Sequence, residues 1–413
     1  MKTLKAYLSE AAGKNTHMTH IEDLIIDGGV KGARQAILAL RSMRDMLSGN
    51  AKAPIDITVK WDGAPAVFAG EDPRDGKFFV AKKGIFNQNP KVYKSHDDID
   101  ADTSGDLSKK LKLAFDNLKN LGIKDVIQGD FMFDKSDLKK ENINGIGHIT
   151  FHPNTILYAV PLNSRLAKEI QRAKIGIIWH TSYSGKSFET MKAEFGRDIV
   201  GKLKKSNDVW MDDATLKDVS GTATLTRSET DMLNSNLSNA GKIFQKISSN
   251  SLKEIEDNKE LNLIINIYNN RKVREGQRIT NTKSHAKGLI MFVQDRYAKA
   301  IDKRSSEAGK QVQIDKRDEL LKFFSKDNLD QLKLIFDLHN YVTDSKLIII
   351  NKLNELSNMG TFVKTKSGFK VTGVEGFVAI DRMEGGAVKL VDRLEFSTNN
   401  FSKDIIKGWD NPG

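Results

Sequence analysis

Cysteine is absent from all 413 residues, so disulfides and thiolate-ligated zinc are excluded. That absence agrees with a reducing cytosol. No run of about 18 apolar residues occurs, and the sequence therefore offers no membrane-spanning helix. The Met1-Lys2-Thr3-Leu4-Lys5 opening lacks the apolar stretch of a secretory signal. His148 and His152 stand close together without a matching ligand set, and no serine–histidine–acid arrangement stands out. Phosphate loops of the Walker type are missing, since Gly145-Ile146-Gly147 is too short to form one. Internal repeats and low-complexity tracts are missing too.

What is present describes a basic globular protein. A mass of 46.2 kDa exceeds one ordinary core and implies two or three domains. A formal charge of +11 implies an anionic partner, of which nucleic acid is the commonest, although charge alone identifies none.

Three textures follow one another along the chain. Residues 1–53 read as an N-terminal helical segment. Ala33, Ile37, Leu38, Leu40 and Met43 fall at roughly helical spacing, and Gly28-Gly29 marks a break between two helices. Residues 54–200 read as mixed α and β. Ile55, Ile57 and Val59 alternate with polar residues, and Val67 to Ala69 and Phe78 to Ala81 flank an Asp75-Gly76 turn. A helix is predicted from Leu107 to Leu121, with further strands at Val126-Ile127, Ile149 to Phe151, Thr155 to Val160 and Ile175 to Trp179. Residues 201–360 read as a helical insertion. Strand signals return in 361–413 at Phe369 to Val371, Gly376 to Ile380 and Ala387 to Val391. The expected class is α+β with antiparallel sheets, one β-rich domain being interrupted by the insertion.

Four segments of the β-rich part carry groups suited to nucleotide chemistry. In Lys60-Trp61-Asp62-Gly63 a lysine at a strand end can present its amine to a pocket, and a solvated turn is the plain alternative. Attack on an α-phosphate requires a neutral amine, which burial or neighbouring cations favour. Ala81-Lys82-Lys83-Gly84 closes a strand with two lysines that can bind phosphate, or that merely guard a sheet edge. Gly129-Asp130 places a carboxylate on a strand, where it can hold a ribose hydroxyl or a metal-bound water, or simply end the strand. Glu375-Gly376 precedes a β-run, and Lys389 lies on the next strand; a hairpin with a surface lysine is the plain reading.

Taken in order, these motifs resemble the covalent nucleotidyltransferase superfamily, which includes ATP-dependent DNA ligases, RNA ligases and mRNA-capping guanylyltransferases. The resemblance covers residues 54–160 and 372–393, roughly a third of the chain. It implies an adenylation domain of antiparallel sheets in which Lys60 forms a lysyl-AMP bond, with ATP as substrate and Mg²⁺ or Mn²⁺ as cofactor. Asp62 and Gly63 complete that motif. Lys83 falls where such RNA ligases carry an arginine, and supplies charge without a bidentate fork. Asp130 replaces the usual glutamate at the ribose, Glu375 matches the metal-assisting glutamate, and Lys389 matches the first lysine of the closing motif. That motif's second lysine is Val391 here, with Arg393 as the candidate substitute. Tyr158 is the candidate ring for stacking on the purine, a core position being the alternative. The Thr19-His20-Ile21-Glu22-Asp23 opening and residues 81–93 also resemble a family encoded by large tailed bacteriophages, which implies a bacterial host cytoplasm.

The implied function is an ATP-dependent polynucleotide ligase sealing 5′-phosphate to 3′-hydroxyl ends. Only about 20 residues follow Lys389, too few for the OB-fold that DNA ligases append, so RNA is expected over DNA. Nucleotidyl transfer to a protein or an RNA cap is an alternative acceptor chemistry. A catalytically inactive nucleic-acid-binding or virion-associated protein is the alternative of another class, favoured by Asp130 and Val391. Between Arg271 and Lys310, 11 Lys/Arg face four acids. This makes Arg271, Lys272, Arg274, Arg278, Lys283 and Lys287 candidates for backbone-phosphate contacts, or a solvated helix face.

Overall fold

The computed structural model describes residues 18–48, 55–215, 224–356, 359–381 and 387–410. The expected helix over 1–53 therefore lies partly outside the described residues. Within them, α1 (Leu24–Asp27) and α2 (Gly29–Leu47) meet at Gly28-Gly29, as the sequence implied. Ala33, Ala36, Ile37, Leu40, Met43 and Leu47 form the buried stripe of α2, whereas Leu38 lies off it and is 50% exposed.

The β-rich part begins with β1 (Ile55–Lys60), β2 (Ala66–Glu71) and β3 (Phe78–Ala81). Two helices follow, α3 (His96–Asp102), which the sequence did not signal, and α4 (Gly105–Leu118). Next come β4 (Val126–Asp134), β5 (Lys139–Ile143), β6 (Ile146–Phe151), β7 (Leu157–Pro161), α5 (Arg165–Arg172), β8 (Ile175–Ser184), β9 (Lys192–Phe195) and β10 (Val209–Asp213). The helical region comprises α6 (Arg227–Lys246), α7 (Ser249–Asp257), α8 (Lys259–Arg274), α9 (Thr282–Asp302), α10 (Glu307–Leu321) and α11 (Lys326–Asn354). The chain closes through β11 (Gly360–Thr365), β12 (Gly368–Val371), β13 (Gly376–Asp381), β14 (Ala387–Leu390), α12 (Arg393–Phe401) and β15 (Ile405–Ile406).

Among the described residues three sheets result: β1-β13-β14; β10-β8-β4-β2-β3 with β9 on β8; and β12-β11-β7-β6-β5 with β15 on β11. Among the described residues the named strands pair antiparallel except β10 with β8, and an isolated parallel bridge joins His20 to Lys389. That pairing assigns residues 209–213 to a sheet, so the helical region starts later than residue 201.

A single apolar core joins α1 and α2 to α6, α7, α8, α9 and α11. The N-terminal helices are thus part of the helical body. Ile57, Phe377, Ala379 and Leu390 extend the same core into the three-stranded sheet. Alternation then turns Thr58, Lys60, Val378 and Lys389 to the sheet's other face. Half-burial of this small sheet is what aims Lys60 into a cleft, with Lys389 on the same face of the sheet.

Candidate active site

Lys60 ends β1 directly opposite Gly376 of β13, so Glu375 emerges beside it. The Lys60 ammonium contacts the Glu375 carboxylate. Glycine is required at 376, where φ is +152° and a Cβ would lie 2.6 Å from Val391 Cγ2. Burial raises the Glu375 carboxyl above its usual range, against the opposing pull of Lys60. Lys389 lies across the ladder from Val378. Burial, and after it the Lys60 charge, lower its pKa, while Glu375 acts in the opposite direction.

Asp130 arrives from the neighbouring sheet. Gln128 pairs with Thr181 but Gly129 pairs with Trp179, so His180 is the extra residue of a β-bulge. The bulge sets His180 Nε2 3.9 Å from Asp130 Oδ1, while Nδ1 lies 2.7 Å from Thr181 Oγ1. Burial, then the Lys60 charge, lowers His180 to about 4, leaving the ring neutral at pH 7. Burial pushes Asp130 up to about 7 despite Lys60, and the Glu375 and Asp62 carboxylates add to the rise. Gly63 permits this approach, since a Cβ there would sit 2.6 Å from Asp130 Cβ and 2.8 Å from Met132 Sδ.

Lys60, Asp130, Glu375 and His180 all line one cavity of about 530 Å³, with Lys83 at its rim. The adjacent lysine is otherwise engaged, because Lys82 Nζ lies 2.8 Å from Asp102 Oδ2. Phe86 and Tyr183 form an aromatic wall, with ring centroids 4.8 Å apart. The Tyr183 hydroxyl donates to Gln128 Oε1 at 2.6 Å, which fixes a side-chain amide in the same wall.

Of the remaining candidates, Asp62 and Gly63 line the same cavity, whereas Tyr158 and Arg393 do not. Asp62 is buried, and its carboxylate accepts from Asn154 Nδ2 at 2.6 Å and from the Thr155 and Ile156 amides at 2.7 Å each. It clamps the turn that carries Lys60 and has both oxygens committed to protein donors. Tyr158 is fully buried, accepts from the Asp62 amide at 2.8 Å, and packs between Trp61 and Phe151. A ring held under the turn cannot stack on a purine. Arg393 reaches into the helical body, where its guanidinium donates to Asp23 at 2.9 Å; Val391 is buried. The second lysine of the closing motif therefore has no substitute at Arg393.

The family model for DUF6267, a family of unknown function, matches residues 15–405. The chain belongs to that family. No curated protein and no solved structure matches it. The DUF6267 match spans the helical body as well as the sheets.

The basic stripe gathers around the α8–α9 connection. Arg271 and Lys272 pair with Glu275 at 2.8 and 2.9 Å, and Arg278 lies 3.8 Å from Asp344. Arg274, Lys283 and Lys287 are exposed. Sequence reasoning missed His180, Gln128, Phe86 and Tyr183. A single histidine or glutamine in a strand carries no local signal, and the bulge that exposes His180 is a property of pairing with β4. Among the described residues, no group of three or more His, Asp or Glu side chains forms a preassembled metal site.

Proposed function

We propose that this protein is an ATP-dependent nucleotidyltransferase of the ligase type, forming a lysyl-AMP at Lys60 and sealing polynucleotide ends, RNA in preference to DNA. One observation carries the reading. Lys60, Asp130, Glu375 and the rim residue Lys83 come from four separate segments and face one nucleotide-sized cavity. Lys389 adds charge from the adjacent strand.

In the first step the Lys60 amine attacks the α-phosphorus of ATP, a P–N bond forms, and the P–O bond to the β-phosphate breaks to release pyrophosphate. The proton lost from the amine needs an acceptor. Glu375 touches the amine, and Asp130 has a carboxyl that titrates near 7, so either carboxylate suits that role. A 5′-phosphate oxygen then attacks the AMP phosphorus and the P–N bond breaks, returning the lysine. A 3′-hydroxyl finally displaces AMP. Lys83 and Lys389 stabilise charge on the phosphates, and Phe86 and Tyr183 offer the base a stacking surface in place of Tyr158.

Glu375 and Asp130, two buried carboxyls raised by desolvation, fit a Mg²⁺ bound jointly with substrate phosphates. Such an ion neutralises phosphate charge when bound. One feature favours the inactive, nucleic-acid-binding alternative: the Arg393 guanidinium is tied to Asp23, leaving Lys389 without a second cation on its strand.

The test is incubation with α-labelled ATP and Mg²⁺ or Mn²⁺, followed by denaturing separation. Label on the wild-type chain and none on Lys60→Ala is expected. Absence of label with all four nucleotides, after pyrophosphatase treatment, refutes the covalent chemistry and leaves the binding-protein reading in the lead.

A further inference from the structure

A second cavity, of about 350 Å³, lies in the helical body between α8, the α8–α9 connection, α11 and the start of α12. Two buried side chains in its wall have polar atoms without a hydrogen-bond partner among the described residues. Asn269 is 3% exposed, and its Oδ1 accepts from His285 Nε2 at 2.9 Å. That bond orients the amide and leaves Nδ2 without a hydrogen-bond partner among the described residues. His339 is 7% exposed, and neither ring nitrogen has a hydrogen-bond partner there; the nearest carboxylate, Asp23, is 3.9 Å from Nε2. Buried donors left open in this way mark a place where a polar ligand fits.

The charges of the wall divide into two groups. Deep in the body Lys346 is held by Glu22 at 2.7 Å, Arg393 by Asp23 at 2.9 Å, and Asp392 caps α12 through the Leu394 and Glu395 amides. These groups are committed to one another. At the mouth, Lys272 pairs with the surface carboxylate of Glu275 and donates to Gln277 Oε1 at 3.3 Å, and Arg278 stands 3.8 Å from Asp344. Such pairs are weak and exchange readily with a stronger anion. Val273, Ile279 and Leu347 supply an apolar side that a bare inorganic phosphate would leave uncovered.

We propose that this cavity binds a phosphate-bearing nucleotide unit, its phosphate at Lys272 and Arg278 and its base or sugar against Asn269 and His339. The unit is either a free mononucleotide or the phosphorylated end of a strand; both present the same chemistry. The site does not use Lys60, so it stands or falls separately from lysyl-AMP formation.

The test uses the full chain carrying Lys60→Ala, so that no covalent transfer competes. A fluorescent single-stranded RNA with a 5′-phosphate, its 5′-hydroxyl counterpart, and AMP as competitor are titrated by anisotropy. Arg278→Glu and Asn269→Asp are added separately, with circular dichroism to confirm folding. Asn269→Asp keeps the acceptor for His285 but replaces the open donor with a carboxylate oxygen. Each substitution is expected to weaken binding of the 5′-phosphorylated strand by about tenfold or more. Competition by AMP points to the free nucleotide as the ligand, and its failure to compete points to the strand end. A loss with Arg278→Glu but none with Asn269→Asp would overturn the proposal, because binding would then be surface electrostatics outside the cavity. Equal binding of the phosphorylated and hydroxyl strands would overturn it as well. These outcomes are readable whether or not the wild-type chain takes up label at Lys60.

Discussion

Asp62 offers the most direct quantitative test of how the Lys60 turn is built. Its carboxylate accepts three hydrogen bonds, two of them from the backbone amides of Thr155 and Ile156. Asp62→Ala leaves both amides without an acceptor in a buried setting. Each unpaired donor costs about 1–3 kcal/mol, which puts the substitution at roughly 3–5 kcal/mol of folding stability after partial relaxation. Asp62→Asn should behave differently. The two amides share the single oxygen Oδ2, and one carbonyl oxygen can still accept from both. The new amide nitrogen would face Asn154, and a flip of Asn154 lets its Oδ1 accept from that nitrogen while turning Nδ2 into the buried position where Oδ1 has no partner among the described residues, so one donor is left unpaired. The expected cost is therefore about 1–3 kcal/mol, below that of the alanine variant. Urea denaturation measures both differences, and hydrogen exchange at Thr155 and Ile156 locates them. If Asp62→Ala matches the wild type within about 0.5 kcal/mol, or if Asp62→Asn is equally damaging, then the carboxylate is not what holds the turn.

Asp130 gives a pH prediction with a definite sign. Its folded-state carboxyl titrates at about 7, above an ordinary aspartate near 4, so the folded chain holds the extra proton between those values. Its stability contribution is present below about pH 4 and is lost as pH rises through about 7. Asp130→Asn should accordingly have a higher thermal midpoint than the wild type at pH 8, with a gap that narrows on acidification towards pH 4; a pH-independent gap refutes the assignment. Gly63→Ala should lower stability by about 1–3 kcal/mol, since the added methyl meets Asp130 and Met132 in a packed interior. An unchanged melting temperature for that variant would show that β4 can withdraw freely.

Much of the local structure was legible in the residues. Alternation at Ile57 and Val59 marked β1, the Asp75-Gly76 pair marked the turn before β3, and the spacing of Ala33, Ile37, Leu40 and Met43 marked the buried face of α2. These signals are periodic or depend on a turn residue, so a few neighbours suffice to read them. The short motifs around Lys60, Asp130 and Glu375 could be located in the same way. Their roles could not, because the same residue type can face a cavity or a core. Tyr158 went to the core and Arg393 to the helical body.

What the sequence by itself determined was the position of several strands, of the helices α2 and α4, and the small set of charged residues available for chemistry. Which of them meet was decided by tertiary structure. The ladder between β1 and β13 brings Lys60 to Glu375 across more than 300 residues, and the bulge between β4 and β8 turns His180 towards Asp130. The helical body gathers its N-terminal and later helices into one core. Pairing register and burial depend on distant partners, and no local pattern of residues encodes them.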